Sequence, residues 1–144
     1  MAKIIATNKK AFFDYFIIDK YQAGIVLLGW EIKSIRSGNI DIKNAFCFFK
    51  NKELFLINAH IANYMHIKGD NIRSRKLLLN KNELFRISQK VEKEKLSIIP
   101  LNIFFNKKGY AKLEIGLAKH KKKYDKRQAI LEKESQKYLN KYKV

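Results

Sequence analysis

The sequence has a single cysteine, a single proline and no long apolar run. Cys47 has no partner for a disulfide within the chain, and its place among phenylalanines predicts a buried thiol in a reducing compartment. The longest uncharged apolar run, residues 23–30, is less than half of the about 20 residues that a membrane-spanning helix needs. The first residues lack the apolar core of a secretory signal. These absences predict a cytoplasmic protein without a membrane partner.

Acidic residues are also scarce. The 144-residue chain has 13 Asp and Glu against 31 Lys and Arg, which gives a formal net charge of +18. Only five of the basic residues are Arg, so most of the charge consists of lysine point charges, which suit phosphate backbones. With 47% hydrophobic residues the chain can bury a core, which excludes a disordered polycation. The composition predicts a folded domain that binds a polyanion, above all a nucleic acid.

Recognisable catalytic and cofactor motifs are missing. The three histidines have no cysteine partners at metal-ligand spacing, and there is no glycine-rich phosphate loop or Gly-x-Ser-x-Gly elbow. We therefore predict no cofactor, no metal and no enzyme activity. One alternative is a metal-dependent nuclease, in which Asp19 and Glu31 hold a divalent ion and Lys33 steadies the attacking water. That chemistry needs Glu31 and Lys33 on one strand, whereas Gly29 and Gly38 predict a short helix between them.

Short apolar runs separated by turn residues predict a mainly β fold with flanking helices. Two strands, residues 14–19 and 23–28, are predicted with a tight connection at 20–22. Two hairpins follow, and in the second Gly109 can supply the positive φ of the turn. The hairpin strands are residues 45–49 and 54–57, then 96–105 and 110–116. Six strands of this kind favour a closed antiparallel barrel.

The pattern is helical between the two hairpins and in one further place. Asn80 followed by Glu83 has the form of a capping box, and apolar residues on one face extend this helix to about Lys95. A shorter helix is predicted at residues 31–37, where Gly38 provides the end. Residues 63–71 lack periodicity and are predicted to form a loop.

Apolar density falls at residue 119, which divides the chain into a barrel domain, 1–118, and a basic tail, 119–144. The apolar stripe of the tail is too thin for it to fold alone, so we predict that it is disordered when free and helical when docked. Two basic clusters lie at residues 73–76 and 119–127. For the basic side chains of the first cluster, two interpretations are open: contact with RNA, or charge that is only solvated. In the second, lysines surround Tyr124, which suits RNA phosphates and a stacked base.

Six blocks of the sequence, in order, resemble the small protein B family, the tmRNA-binding (SsrA-binding) proteins of bacteria. The resemblance runs from about residue 7 to the end of the chain, and its blocks are residues 8–17, 23–25, 29–36, 58–61, 73–79 and 124–127. Six blocks in register are highly specific. A ribosomal or initiation-factor-like RNA-binding barrel protein is the alternative that shares the charge, the strands and the tail.

The resemblance implies an oligonucleotide-binding-like β-barrel that clasps the tRNA-like domain of tmRNA and is not an enzyme. Such a protein acts in trans-translation, where with elongation factor Tu it delivers alanyl-tmRNA to the A site of ribosomes stalled without a stop codon. The resemblance and the first basic cluster give the expected tmRNA contacts: Asn8, Lys9, Gln22, Arg73, Arg75, Lys76 and Leu78. The tail is implied to fold as a helix in the decoding centre and mRNA channel of the ribosome, through Lys119, Lys121, Lys122, Tyr124, Asp125, Lys126 and Arg127. The free protein is expected to be a monomer.

Two positions depart from the family pattern. Gln22 stands where the family usually has Glu, so a contact that needs a charged acceptor is lost there, although an amide still accepts and donates. His120 replaces a glycine, which removes a flexible position from the base of the tail. We expect the protein to bind RNA despite these two departures.

Overall fold

The computed structural model describes residues 3–67 and 69–121. In that part of the chain the fold is mainly β, with nine strands and three helices, as the sequence predicts. The helices are α1 (Lys9–Asp14), α2 (Gly29–Arg36) and α3 (Lys81–Glu94). The strands are β1 (Lys3–Thr7), β2 (Tyr15–Ile25), β3 (Ile40–Asp41), β4 (Phe46–Lys50), β5 (Glu53–Ile57), β6 (His60–Ile61), β7 (Arg75–Leu78), β8 (Ser97–Phe105) and β9 (Ala111–His120).

Six of the strands follow one another in a circuit of antiparallel pairs. Pairing runs from β8 through β4, β5, β7 and β2 to β9, and β9 pairs again with β8. The most extensive pairings are those of β9, in which Gln22 on β2 lies opposite Glu114 and Ile103 on β8 lies opposite Leu113. Strand β1 also pairs with β8, while β3 and β6 form a separate two-stranded sheet.

The main core lies on one face of this circuit. Along β4, β5 and β7 buried residues alternate with more exposed ones, which puts Cys47, Leu54, Leu56 and Leu77 in the core. The predicted burial of Cys47 is confirmed, and this burial raises the pKa of its thiol. Helix α3 packs Ile87 into the same core.

Helix α3 begins and ends where the sequence predicts. The Asn80 side chain accepts a 2.8 Å hydrogen bond from the Glu83 amide, and the Glu83 carboxylate accepts a 3.3 Å bond from the Asn80 amide. Lys95 ends the helix in the left-handed conformation, with φ of 53°. Helix α2 is also confirmed, although it begins two residues before the predicted start. Gly38, with φ of +79°, follows its end.

A second, smaller core joins helix α1 to the opposite face of the sheet. Ala11 on α1 packs with Ile99 and Leu101 on β8 and Ala118 on β9. Leu101 can lie flat on the sheet because Gly116 has no side chain; a Cβ at that position would be 3.0 Å from the Leu101 Cδ1 atom. The sheet therefore carries packed side chains on both faces where α1 crosses it.

Both predicted hairpins are present. The turn between β4 and β5 consists of Asn51 and Lys52, which have positive φ values of 51° and 65°, as a type I′ turn requires. In the turn between β8 and β9, Gly109 has φ of +82°, and the Asn106 side chain accepts hydrogen bonds from the Lys108 and Tyr110 amides.

The prediction of two strands at residues 14–19 and 23–28 is wrong, because β2 is one strand that continues through residues 20–22. The long partner strand β9 pairs with it over its length and fixes Lys20 and Tyr21 in extended conformation. A register shift between Ile17 and Asp19 absorbs one extra residue as a β-bulge. Residues 26–28 lie outside any strand and lead into α2.

The predicted loop at residues 63–71 is confirmed for the described residues in that range. At the other end of the chain, β9 extends through Lys119 and His120, two residues into the predicted tail. The predicted tail helix lies outside the described residues. Among the described helices, none is long and apolar enough to cross a membrane.

Candidate nucleic-acid interface

Three of the predicted RNA contacts share the outer face of the sheet, around Gly24. Gln22 and Gly24 are two residues apart on β2 and thus point to the same side. Gly24 lies opposite Leu78 of β7 in one pairing and opposite Lys112 of β9 in the other. A Cβ on Gly24 would be 3.2 Å from the Leu78 Cβ and 3.6 Å from the Lys112 Nζ. The missing side chain lets an apolar and a cationic group converge beside Gln22.

Lys76 joins this face two residues before Leu78 on β7. Its Nζ donates a 3.0 Å hydrogen bond to Glu53 on β5, and both side chains are nearly half exposed. A pair as exposed as this contributes about 0–1 kcal/mol, so Lys76 can exchange Glu53 for a phosphate at little cost. Leu78 is 52% exposed, which is high for a leucine on a sheet. We call Gln22, Gly24, Lys76, Leu78 and Lys112 the outer-face site.

Directly beneath β7 lies a buried ion cluster. The Glu31 carboxylate on α2 is fully buried and accepts hydrogen bonds from Arg73, from the Arg75 Nε at 2.6 Å and from the Leu28 amide at 2.7 Å. The Arg75 guanidinium is fully buried as well, and its remaining donors bond the Ala59 carbonyl at 2.8 Å and the Asn71 carbonyl at 3.0 Å. One side chain thus connects β7 to α2 and to two loops.

This geometry fixes the place of two of the predicted RNA contacts, Arg75 and Arg73. The Arg75 side chain is fully buried, so it presents no surface to RNA and holds β7 in place, and its contact with tmRNA stays a prediction. The Arg73 side chain is 26% exposed and is bonded to Glu31, to the Ser74 carbonyl at 3.3 Å and to the Val26 carbonyl at 3.5 Å. Of the basic residues at 73–76, Lys76 alone is directed away from this cluster.

Glu31 stays ionised in this setting. Its burial by itself would raise the pKa, but the hydrogen bonds from Arg73, from the Leu28 amide and from Arg75 outweigh that effect and hold the pKa of Glu31 below its ordinary value. Burial lowers the pKa of Arg75, and the neighbouring Glu31 opposes that change. The guanidinium remains charged at neutral pH. The cluster is a carboxylate shared between two arginines.

Asn8 is also a structural residue. It is 4% exposed, its side-chain amide donates to the Pro100 carbonyl at 2.9 Å and the Ile42 carbonyl at 3.3 Å, and its carbonyl oxygen accepts from the Ala11 amide. These bonds commit the Asn8 side chain to the start of α1, and its contact with RNA stays a prediction. Lys9, the first residue of α1, is exposed. It borders a cleft of about 340 Å³ together with Lys10 and Lys43.

The first tail residues are anchored to strand β2 of the sheet. Lys119 lies opposite Phe16 in the β2–β9 pairing, and the Lys121 Nζ is 4.8 Å from the centre of the Phe16 ring. The Lys121 amide donates a 2.9 Å bond to the Asp14 carbonyl. His120, which departs from the family glycine, packs edge to face on Tyr15 at 4.9 Å. The other predicted tail contacts, Lys122, Tyr124, Asp125, Lys126 and Arg127, lie outside the described residues.

The three residues of the nuclease alternative do not meet. Glu31 is enclosed by arginines, whereas Asp19 interacts with the Tyr21 hydroxyl and the Lys90 Nζ, each at 3.4 Å. Burial and the negative charge of Asp19 raise the pKa of Tyr21. Lys33 lies on α2 over the Tyr64 ring. Within residues 3–67 and 69–121 no group of histidine, cysteine and acidic residues could hold a metal ion.

Two features of this region were not predicted from the sequence. The first is the pairing of Glu31 with Arg75, which joins residues 44 positions apart. The second is a set of exposed aromatic side chains, Phe46 and Phe48 on β4, which are 44% and 57% exposed. The buried Cys47 between them was the signal for the second feature, since neighbours of a core residue on a strand point the opposite way.

A basic, mainly β protein with lysine, amide and aromatic groups on one sheet face belongs, as a class, with the nucleic-acid-binding sheet and barrel proteins. The SmpB protein family model matches residues 5–143, and the chain belongs to this family, which confirms the resemblance found in the sequence. It is 53% identical to the SsrA-binding protein of Mycoplasmopsis pulmonis, over 98% of this chain and 97% of that protein.

Two further comparisons agree. The SsrA-binding protein of Mycoplasma mobile is 52% identical over 96% of this chain and 97% of that protein. A solved structure described as tmRNA-SmpB in the bacterial ribosome contains a chain that is 42% identical, with a TM-score of 0.71. That match covers 88% of this chain and 94% of the other. Family and fold are therefore consistent over nearly the whole sequence.

Proposed function

We propose that this protein binds the tRNA-like domain of tmRNA through its outer-face site and acts in trans-translation. The observation that carries the proposal is the convergence of Gln22, Lys76 and Leu78 around Gly24, on the side of the sheet away from the main core. Relatives named SsrA-binding protein, and a similar chain in a tmRNA-SmpB ribosome structure, support the choice of this RNA and of the ribosome as a partner.

The strand circuit supports a closed, oligonucleotide-binding-like barrel as the rigid part of this protein. Such barrels bind RNA on the outside of their strands, where the outer-face site lies. Lysine and leucine on a β surface favour recognition of RNA shape and backbone over reading of base edges in a groove. No step of this function requires bond chemistry, so we propose a binding protein and not an enzyme.

The remaining steps follow from the family. With elongation factor Tu, the protein would deliver charged tmRNA to the A site of a stalled ribosome in the cytoplasm, as a monomer. Residues 119–144 would enter the decoding centre and the mRNA channel, with Lys119 and Lys121 at the root and residues 122–127 beyond it. The charge supports this division, since the last 26 residues have a net charge of +7. A folded domain of residues 1–118 and a basic tail would thus meet two RNA surfaces.

The test compares two lysine variants. Lys76→Gln should weaken binding to the isolated tRNA-like domain and reduce the slope of log K against log salt by about one, because one phosphate contact is lost. Lys93→Gln, an equally charge-changing substitution at an exposed position of α3, should leave the slope unchanged. A flat salt response of the wild type, or equal slopes for both variants, would contradict the proposed site.

A pull-down from the source cells separates the alternatives. Sequencing of the bound RNA should show enrichment of one RNA of the size of tmRNA. Ribosomal RNA alone would instead indicate the ribosomal or initiation-factor-like barrel protein.

A further inference from the structure

An exposed aromatic surface lies beside the outer-face site and has no part in it. Phe46 and Phe48 point outward from β4, and Phe48 lies directly opposite Phe55 of β5. Residues directly opposite in an antiparallel pair have Cβ atoms about 5 Å apart, so Phe48 and Phe55 form one continuous aromatic surface. Phe46 is two residues along β4, roughly 7 Å from Phe48. We call Phe46, Phe48 and Phe55 the aromatic platform.

Lysines surround this platform. Lys50 follows Phe48 on the same side of β4, and Lys52 is in the adjoining turn. On the other side, Lys76 lies opposite Phe55 in the β5–β7 pairing, which makes the platform continuous with the outer-face site. Lys43 is exposed just before β4 and borders, with Phe46, a second cleft of about 190 Å³. The apolar rings are thus flanked by four lysines, of which Lys76 is paired with Glu53.

We propose that the aromatic platform binds unpaired RNA bases by stacking, while the surrounding lysines contact the phosphates of the same segment. Aromatic rings that are exposed on a sheet and flanked by cationic side chains suit single-stranded RNA, because every base has a π face and every linkage a negative charge. An apolar protein segment would gain from the rings but not from the lysines. The rings are separate enough to receive more than one base.

This inference rests on the proposed RNA-binding function but concerns a different substrate. The outer-face site is proposed for a structured tRNA-like domain, whereas the platform is proposed for a flexible, unpaired segment of RNA. The two claims therefore fail separately. Loss of binding to the tRNA-like domain with retained binding to a single strand, or the reverse, shows which claim is wrong.

The experiment uses the full chain and a fluorescein-labelled uridine decamer, with binding followed by fluorescence anisotropy at a salt concentration that weakens non-specific contacts. Phe48→Leu keeps an apolar side chain but removes the ring, and should weaken binding by about fivefold or more. Phe48→Tyr keeps the ring and should bind as the wild type does. Phe85→Leu is the matched control, because Phe85 is 61% exposed on α3, outside the platform.

A second measurement locates the RNA directly. A decamer containing 5-bromouridine should crosslink on irradiation to peptides that contain residues 46–55, and an RNA duplex of the same length should not. The proposal is overturned if Phe48→Leu binds the decamer as tightly as the wild type, if Phe85→Leu loses as much, or if the duplex binds as well as the single strand. Thermal unfolding of each variant shows whether it is folded; a variant that fails to fold is replaced by Phe55→Leu, for which the same outcomes hold.

Discussion

Replacing Glu31 by glutamine isolates the buried ion cluster. The substitution changes no more than one heavy atom, but it removes the negative charge shared by Arg73 and Arg75. Arg75 is fully buried, so its guanidinium would be left in the core without a counter-charge. Breaking a buried ion pair by removing one partner costs about 3–5 kcal/mol, and two arginines depend on this one carboxylate. We expect Glu31→Gln to lower the free energy of unfolding by an amount within that range.

The effect is large on the scale of a small domain. Natural domains have a free energy of unfolding of about 5–15 kcal/mol, so Glu31→Gln should remove a substantial fraction of it. Since 1 kcal/mol corresponds to about 4–8 °C for a domain near 100 residues, the melting temperature should fall by more than about 10 °C. Urea titration followed by circular dichroism gives the free energy and calorimetry gives the melting temperature.

Glu53→Gln is the matched control. Glu53 is a glutamate paired with a basic residue of β7, as Glu31 is, but its side chain is 48% exposed. Its loss should cost no more than about 1 kcal/mol. Equal effects of Glu31→Gln and Glu53→Gln would refute the reasoning, because burial would then have no weight. The double variant Glu31→Gln with Arg75→Gln should lose less free energy of unfolding than the two single variants lose together.

Acid provides an independent check of the same residue. The pKa of Glu31 is lower in the folded protein than its ordinary value of 4.5, so the unfolded chain takes up the proton first as the pH falls. The stability that Glu31 contributes is complete above that value and is lost as the pH falls through the folded pKa. The difference in free energy of unfolding between wild type and Glu31→Gln should therefore narrow below about pH 4.5 and be constant near neutrality.

Two further predictions concern other parts of the chain. A Cβ at Gly69 would overlap the indole of Trp30, so Gly69→Ala should cost about 1–3 kcal/mol and shift the fluorescence of the single tryptophan; an unchanged spectrum and stability would contradict this contact. Deleting residues 122–144, which leaves β9 whole, should preserve tmRNA binding and abolish tagging on stalled ribosomes. Loss of tmRNA binding in a gel-shift assay would show that the tail is part of the primary site.

The elements that the sequence predicts well are those with local signals. Asn80 and Glu83 form their capping box within four residues, and Gly109 meets the φ requirement of its own turn. The division of β2 into two strands failed for the opposite reason. Lys20 has a low preference for strands, and the pairing of Lys20 and Tyr21 with β9, about 95 residues later in the chain, keeps both residues extended.

The candidate site was predictable in part. Gln22, Lys76 and Leu78 came from the family resemblance, and the sheet register then showed that they share a face. Arg75 was expected to be exposed because charged residues are rarely buried, so a cluster of arginine and lysine suggests a surface. Arg75 and Leu77 are two residues apart on β7, so their place on the same face was visible in the sequence. The partner that makes the burial of Arg75 possible, Glu31, belongs to a helix far away in the chain.

Strand β2 fixes the distance between the outer-face site and the root of the tail. Its first residue, Tyr15, contacts His120 at the root of the tail, and Gln22 on the same strand belongs to the outer-face site. Seven residues of strand span roughly 23 Å, and the bulge shortens this by about one step. A continuous strand that is paired with β9 over that length cannot stretch or bend much. The root of the tail at His120 is therefore held about 20 Å from Gln22 on the outer face, and β2 works as a spacer of fixed length between these two points.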